Sequence, residues 1–137
     1  MNPPFILDTC TCLWLLAGEL PSAALETLTA TFNSGATTYV SPITALEVGT
    51  LARKRRFRSQ LTPQRWLESL LSQPGMALAQ MPAELLMESA LLPGDLQADP
   101  HDRVIAATAR EYGYTLLTRD AGLLRYAQDG YLSALKV

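Results

Sequence analysis

The sequence has little to offer soft-metal or nucleophilic chemistry. Its 137 residues include one histidine, His101, and two cysteines, Cys10 and Cys12. A Cys-x-Cys pair on a helix points its thiols to different faces and makes a poor disulfide. With a single histidine the chain also lacks the ligands of a zinc site. The cysteines therefore read as two small, buried apolar residues in a reducing compartment. A Ser-His-Asp or Cys-His hydrolase would have to use His101, and no nucleophile elbow surrounds Cys10 or any serine. No Gly-x-x-x-x-Gly-Lys loop occurs, which excludes a P-loop nucleotide hydrolase, and no Gly-x-Gly-x-x-Gly follows the first apolar run. No run of about 18 apolar residues exists to span a membrane. No Lys or Arg precedes Arg53, and Asp8 interrupts the first apolar stretch, which argues against a secretory leader and favours a cytoplasmic protein.

What is present is a compact, apolar chain. Hydrophobic residues make up 48% and charged residues 18%, so the chain can bury a core and is not disordered. Its length suits one domain, residues 1–137, with no linker, repeat or low-complexity tract. A net charge of -2 does not mark a nucleic-acid binder. The distribution is uneven, however: Arg53, Lys54, Arg55, Arg56 and Arg58 form one basic block. Such a block is either a solvated helix end, where cations complement the dipole, or a surface for phosphates.

Strand and helix signals alternate. Phe5-Ile6-Leu7 reads as a buried strand ending in Asp8, followed by a helix from Thr9 to Ala17 stopped by Gly18. Pro21-Ser22 opens a second helix with Ala24, Leu25 and Leu28 inward. A strand at 37–40 precedes Ser41-Pro42, the start signal for a helix from Ile43 to about Arg56. Thr62-Pro63 starts a helix through Leu71, Met76 to Gln80 is a strand, and Pro82 begins a helix finished by Pro93-Gly94. Asp99-Pro100 starts a helix to about Tyr112, with Gly113 as its stop. Thr115 to Thr118 is a strand, Asp120 caps a short helix through Tyr126, and Tyr131 to Val137 adds an edge strand. Crossovers of helical length predict an α/β fold: a mainly parallel sheet of about four to five strands with helices on both faces.

Carboxylates fall at telling places in this pattern. Asp8 and Asp120 each follow an apolar strand, and in an open α/β sheet the ligand crevice lies beyond the strands' carboxyl ends. Glu47 sits mid-helix on a stripe with Ile43 and Leu51, where a buried carboxylate is costly unless it is paired or binds metal. Asp102 lies in the first turn of its helix, a favourable place for an anion, yet Ile105 and Ala106 turn it toward the packed face. Asp99 is the N-cap of the same helix and close enough to assist, and Thr118 is an accessory candidate. Carboxylates gathered without cations repel. An oxygen-only set suits Mg²⁺ or Mn²⁺.

Four stretches now carry a resemblance: Ile-Leu-Asp8-Thr, Val-Ser-Pro-Ile-Thr-Ala-Leu-Glu47-Val-Gly, Asp99-Pro-His-Asp102-Arg-Val-Ile-Ala-Ala-Thr-Ala and Leu-Leu-Thr118-Arg-Asp120. In this order they resemble the PIN-domain ribonucleases, specifically the VapC-type toxins of toxin–antitoxin pairs. The resemblance implies a PIN-like single domain and a metal-binding, catalytic quartet of Asp8, Glu47, Asp102 and Asp120. Thr118 and Asp99 would be accessory, with Asp99 and Asp102 both open as the third acid. It further implies RNA hydrolysis by metal-activated water, leaving a 5′-phosphate and a 3′-hydroxyl. It implies a homodimer and a small VapB-like antitoxin. The basic block at Arg53, Lys54, Arg55, Arg56 and Arg58 would then reach RNA. A histidine often follows the family's Asp-Thr, where this chain has Cys10. Two other readings stand beside it. One is a phosphatase-like enzyme with Asp8 as nucleophile, although residue 10 is not the second Asp of an Asp-x-Asp pair. The other is a PIN-fold binding module without catalysis.

Overall fold

A computed structural model describes residues 3–137. Among them the chain forms β1 (Phe5–Leu7), α1 (Thr9–Ala17), α2 (Ser22–Asn33), β2 (Thr38–Val40), α3 (Ile43–Arg53), α4 (Pro63–Leu71), β3 (Met76–Leu78), α5 (Ala83–Ala90), α6 (Pro100–Tyr112), β4 (Thr115–Thr118), α7 (Ala121–Gln128) and β5 (Ser133–Lys136). The five strands make one sheet in the order β3-β2-β1-β4-β5, and every pairing is parallel. This is the single α/β domain that the alternating pattern predicts.

The central strands β1 and β4 are buried on both faces, as parallel strands are when helices cover each side, while the edge strands β3 and β5 are partly exposed. Phe5 and Leu7 of β1 and Leu117 of β4 pack with Cys12, Val48, Trp66 and Leu70 on one side. Ile6 and Leu116 face the other way, onto Ile105, Ala106 and Ala109 of α6 and Leu123 and Tyr126 of α7. Ile6 and Ile105 are fully buried, and truncating either to Ala would cost about 2–5 kcal/mol.

Chain direction fixes where a site can lie. From β1 the chain moves outward through β2 to β3, then returns to the other side of β1 for β4 and β5. The reversal falls between β1 and β4, whose Leu7 and Leu117 are register partners. Such a switch point opens a crevice at the carboxyl ends of the strands. Asp8 follows β1 directly, and Asp120 lies two residues beyond β4, so both border that crevice.

Several expectations need correction. The helix that carries Glu47 stops at Arg53, not near Arg56. Arg55 takes φ 58, its N–H bonds Ala52 O at 3.0 Å and Arg56 N–H bonds Leu51 O at 2.8 Å. That is a Schellman stop with arginine where glycine is usual, at a cost of about 1 kcal/mol for a left-handed non-glycine residue. Its signal is hidden in sequence because no glycine announces it. Leu25 is 41% exposed and does not face inward; Ala24 takes the buried place on α2. The strand at Met76 ends at Leu78, where pairing with β2 runs out, and the last helix reaches Gln128. The helix begun at Pro82 ends at Ala90, before Pro93-Gly94. Cys12 is buried as expected, but Cys10 is exposed, because side chains two apart on α1 point to opposite sides.

Candidate active site

Three of the acids are placed by the same device, a helix N-cap. Asp8 caps α1, its Oδ1 accepting Thr11 N–H at 2.8 Å. Asp99 caps α6, its Oδ1 accepting Asp102 N–H at 2.9 Å. Asp120 caps α7, its Oδ2 accepting Leu123 N–H at 2.8 Å. Each cap satisfies a backbone donor that the helix leaves open and sets the carboxylate in the favourable field of a helix start. Asp8 is buried, whereas Asp120 and Asp99 are exposed.

Thr118 joins the two strand ends. Its hydroxyl donates to Asp8 Oδ2 and accepts Asp120 N–H at 3.0 Å, while Thr118 itself is fully buried. Both Asp8 oxygens therefore hold hydrogen bonds, which fix the carboxylate's rotation.

Glu47 approaches from α3 and is part-buried. Thr9 Oγ1 donates to Glu47 Oε1 at 2.7 Å and lies 2.9 Å from Thr44 Oγ1. Thr9 and Thr44 were not singled out by sequence pattern. The signals were there, since Thr9 adjoins Asp8 and Thr44 lies one turn before Glu47, but threonine at a helix start is ordinary.

Electrostatics tie these residues together. Burial pushes the Asp102 carboxyl up to about 7, and Asp99, Glu47, Asp8 and Asp120 all push it the same way. Burial also raises Glu47; the Thr9 hydrogen bond and the nearby His101 oppose that rise, and Asp99 and Asp8 add to it. His101 Nδ1 lies 3.9 Å from Asp99 Oδ1. Cys10 is the most informative probe: although the residue is exposed, partial burial of its thiol raises it to about 11, and Asp8, Glu47, Asp102 and Asp120 each contribute. A thiol that feels all four carboxylates lies within one shared negative field.

The acids share a field without forming a finished cage. Among the described residues no three His, Cys, Asp or Glu side chains are drawn together as a metal-binding group. The donor chemistry nevertheless fits a hard divalent cation. All four acids offer oxygen, and their mutual repulsion is what a cation would relieve.

The basic block divides. Arg53 ends α3, while Lys54, Arg55, Arg56 and Arg58 lie beyond it, so the block does not continue the Glu47 helix as expected. Arg56 and Arg58 instead help line a groove of about 700 Å³ with Trp14, Phe57 and Trp66.

The comparisons with known proteins agree with this architecture. The PIN domain family model matches residues 5–129, and the chain belongs to that family. A chain of the VapBC2 complex from Rickettsia felis, solved bound to a DNA fragment from its promoter, superposes with a TM-score of 0.70 at 17% identity, covering 96% of this chain and 97% of that one. A chain of DNA-bound VapBC from Salmonella typhimurium gives 0.65 at 21% identity, with 96% of each chain covered. These likenesses concern the fold. No curated protein matches in sequence. Among the described residues no helix is long and apolar enough to cross a membrane.

Proposed function

We propose that the protein is a metal-dependent endoribonuclease and the VapC-type toxin of a toxin–antitoxin pair. The observation that carries this reading is the shared field of Asp8, Glu47, Asp102 and Asp120 at the β1/β4 switch point of a PIN domain. The likeness to chains of VapBC complexes supports the toxin role and a VapB-like antitoxin as partner; the homodimer and the cytoplasmic setting rest on the family resemblance alone.

Asp8, Asp102 and Asp120, with Glu47, would hold Mg²⁺ or Mn²⁺. The ion supplies positive charge for the phosphodiester and acidifies water. The chain's own groups do the rest. Thr11 N–H and Thr118 fix Asp8, so its carboxylate does not swing with the substrate. Asp99 orients the first turn of α6 and thereby Asp102. Asp102, raised to about 7 by burial and the neighbouring carboxylates, would be a ligand that is more available to a cation as pH rises. Glu47, held by Thr9, would accept the proton of the attacking water as the water's oxygen bonds to phosphorus and the P–O3′ bond breaks, the leaving 3′-oxygen taking its proton from solvent. Arg53, Lys54, Arg55, Arg56 and Arg58 attract the RNA backbone.

The test is Asp8→Asn. The amide keeps an oxygen for Thr11 N–H and so preserves the α1 cap. The purified variant should keep its circular dichroism spectrum while Mg²⁺- or Mn²⁺-dependent cleavage of RNA falls by at least about 100-fold. A nuclease-free preparation that cleaves at the wild-type rate would end this assignment.

A further inference from the structure

The groove beside the candidate site combines three features that a single-stranded nucleic acid needs. Its walls include the aromatic rings of Trp14 and Phe57, the cations Arg56 and Arg58, and polar edges at Ser59 and Gln60. Phe57 is steadied edge-on by Trp66, at 6.1 Å between ring centres, and Trp66 is buried. The Schellman stop at Arg55 ends α3 and turns the chain, and residues 56–60 beyond it share the groove's lining with α1 residues.

The cations are uncommitted. Five of the chain's 11 Lys and Arg residues lie between 53 and 58, and among the described residues none of those five side chains forms a salt bridge or hydrogen bond. Two of the five, Arg56 and Arg58, line the groove, whose lining carries one acid, Glu19.

The groove is lined from the same two helices that carry or follow the acids, and Arg119 links it to β4's end. Trp14 is one helical turn, about 6 Å, beyond Cys10 on α1, and Leu51 is one turn beyond Glu47 on α3. Arg119, between Thr118 and Asp120, lays its guanidinium 4.0 Å over the Trp14 ring and is anchored by donating from Nε to Val137 O at 2.8 Å.

We infer that this groove binds the nucleotides flanking the scissile phosphate, with bases against Trp14 and Phe57 and phosphates against Arg56 and Arg58. The inference rests on the ribonuclease reading for its choice of RNA and adds where the strand runs. Stacking on aromatic walls tolerates any base, so the groove contributes affinity and direction more than sequence choice.

Binding can be tested apart from cleavage. A fluorescein-labelled single-stranded oligoribonucleotide is titrated in EDTA with the wild-type protein, the Arg56→Gln/Arg58→Gln double variant and Trp14→Leu. The double variant should bind about tenfold more weakly, with a log–log salt slope shallower by about 1.4 for two lost phosphate contacts. Trp14→Leu should weaken binding about tenfold and leave that slope unchanged. Circular dichroism checks the fold of each, and the arginine pair carries the test if Trp14→Leu unfolds. Equal affinity and equal slope in the double variant overturn the inference and leave the groove to a protein partner. Since no cleavage is read, failure of the nuclease assignment in the Asp8→Asn experiment is a separate result.

Discussion

Thr9 donates its one hydroxyl proton to Glu47, 2.7 Å away, so the contact of Thr9 with Thr44 must be donated by Thr44. The result is a directed chain from Thr44 through Thr9 to the carboxylate. It favours the charged form of Glu47 against the burial that raises it.

Thr9→Val keeps the shape and removes that chain. We expect a loss of about 1 kcal/mol in stability, since Thr44 loses a buried partner. Cleavage should fall roughly tenfold, the scale of losing a residue that orients a ligand. The activity profile should move to higher pH, because Glu47 loses the bond that lowers it. Thr9→Ser should restore all three, and a Val variant with an unshifted profile would contradict the role.

Asp102 gives a pH dependence to the metal-free protein. Its folded carboxyl titrates at about 7 and an unfolded one near about 4. Between those values the folded state binds more protons than the unfolded state, so this stabilising contribution is full at low pH and is lost as pH rises. Wild-type Tm in EDTA should therefore fall from about pH 5 to about pH 8 relative to Asp102→Asn. The Tm gain on adding Mn²⁺ should be larger at the upper pH, where protons no longer compete. Parallel melting profiles for wild type and variant would refute the assignment.

Arg55→Gly should raise stability by about 1 kcal/mol in urea unfolding, by removing the left-handed strain at φ 58. A lower midpoint would mean that the Arg55 side chain holds more structure than its unpaired state indicates.

Arg103 spans the end of α5 and the segment before α6, donating to Ser89 O at 2.8 Å, Leu96 O at 2.9 Å and Ala90 O at 3.3 Å. Arg103→Met leaves these carbonyls without their charged donor and should cost about 2 kcal/mol. Lysine should recover little, lacking the planar fork. Denaturation midpoints decide it.

Much of this was legible in the sequence where a local rule and the tertiary fold agree. Asp99-Pro100 and Gly113 bracket α6 because cap, proline and left-handed stop are each dictated by short-range sterics. Asp8 and Asp120 could be placed at one edge because strand polarity follows from the helical crossovers. What escaped depended on neighbours far along the chain. The Thr9–Glu47 bond joins residues 38 apart, and the exposure of Leu25 follows from where α2 rests. The early end of α3 escaped because arginine occupies a conformation that sequence rules reserve for glycine.

The three N-caps have a last consequence. Asp8, Asp99 and Asp120 are each answered by backbone N–H groups at a helix start, so part of their negative charge is already met by the polypeptide. A zinc finger without its ion unfolds. Here the ion would be a reagent and not a staple: chelation should silence the enzyme and leave the molecule standing, ready to be restarted by a change in cation supply.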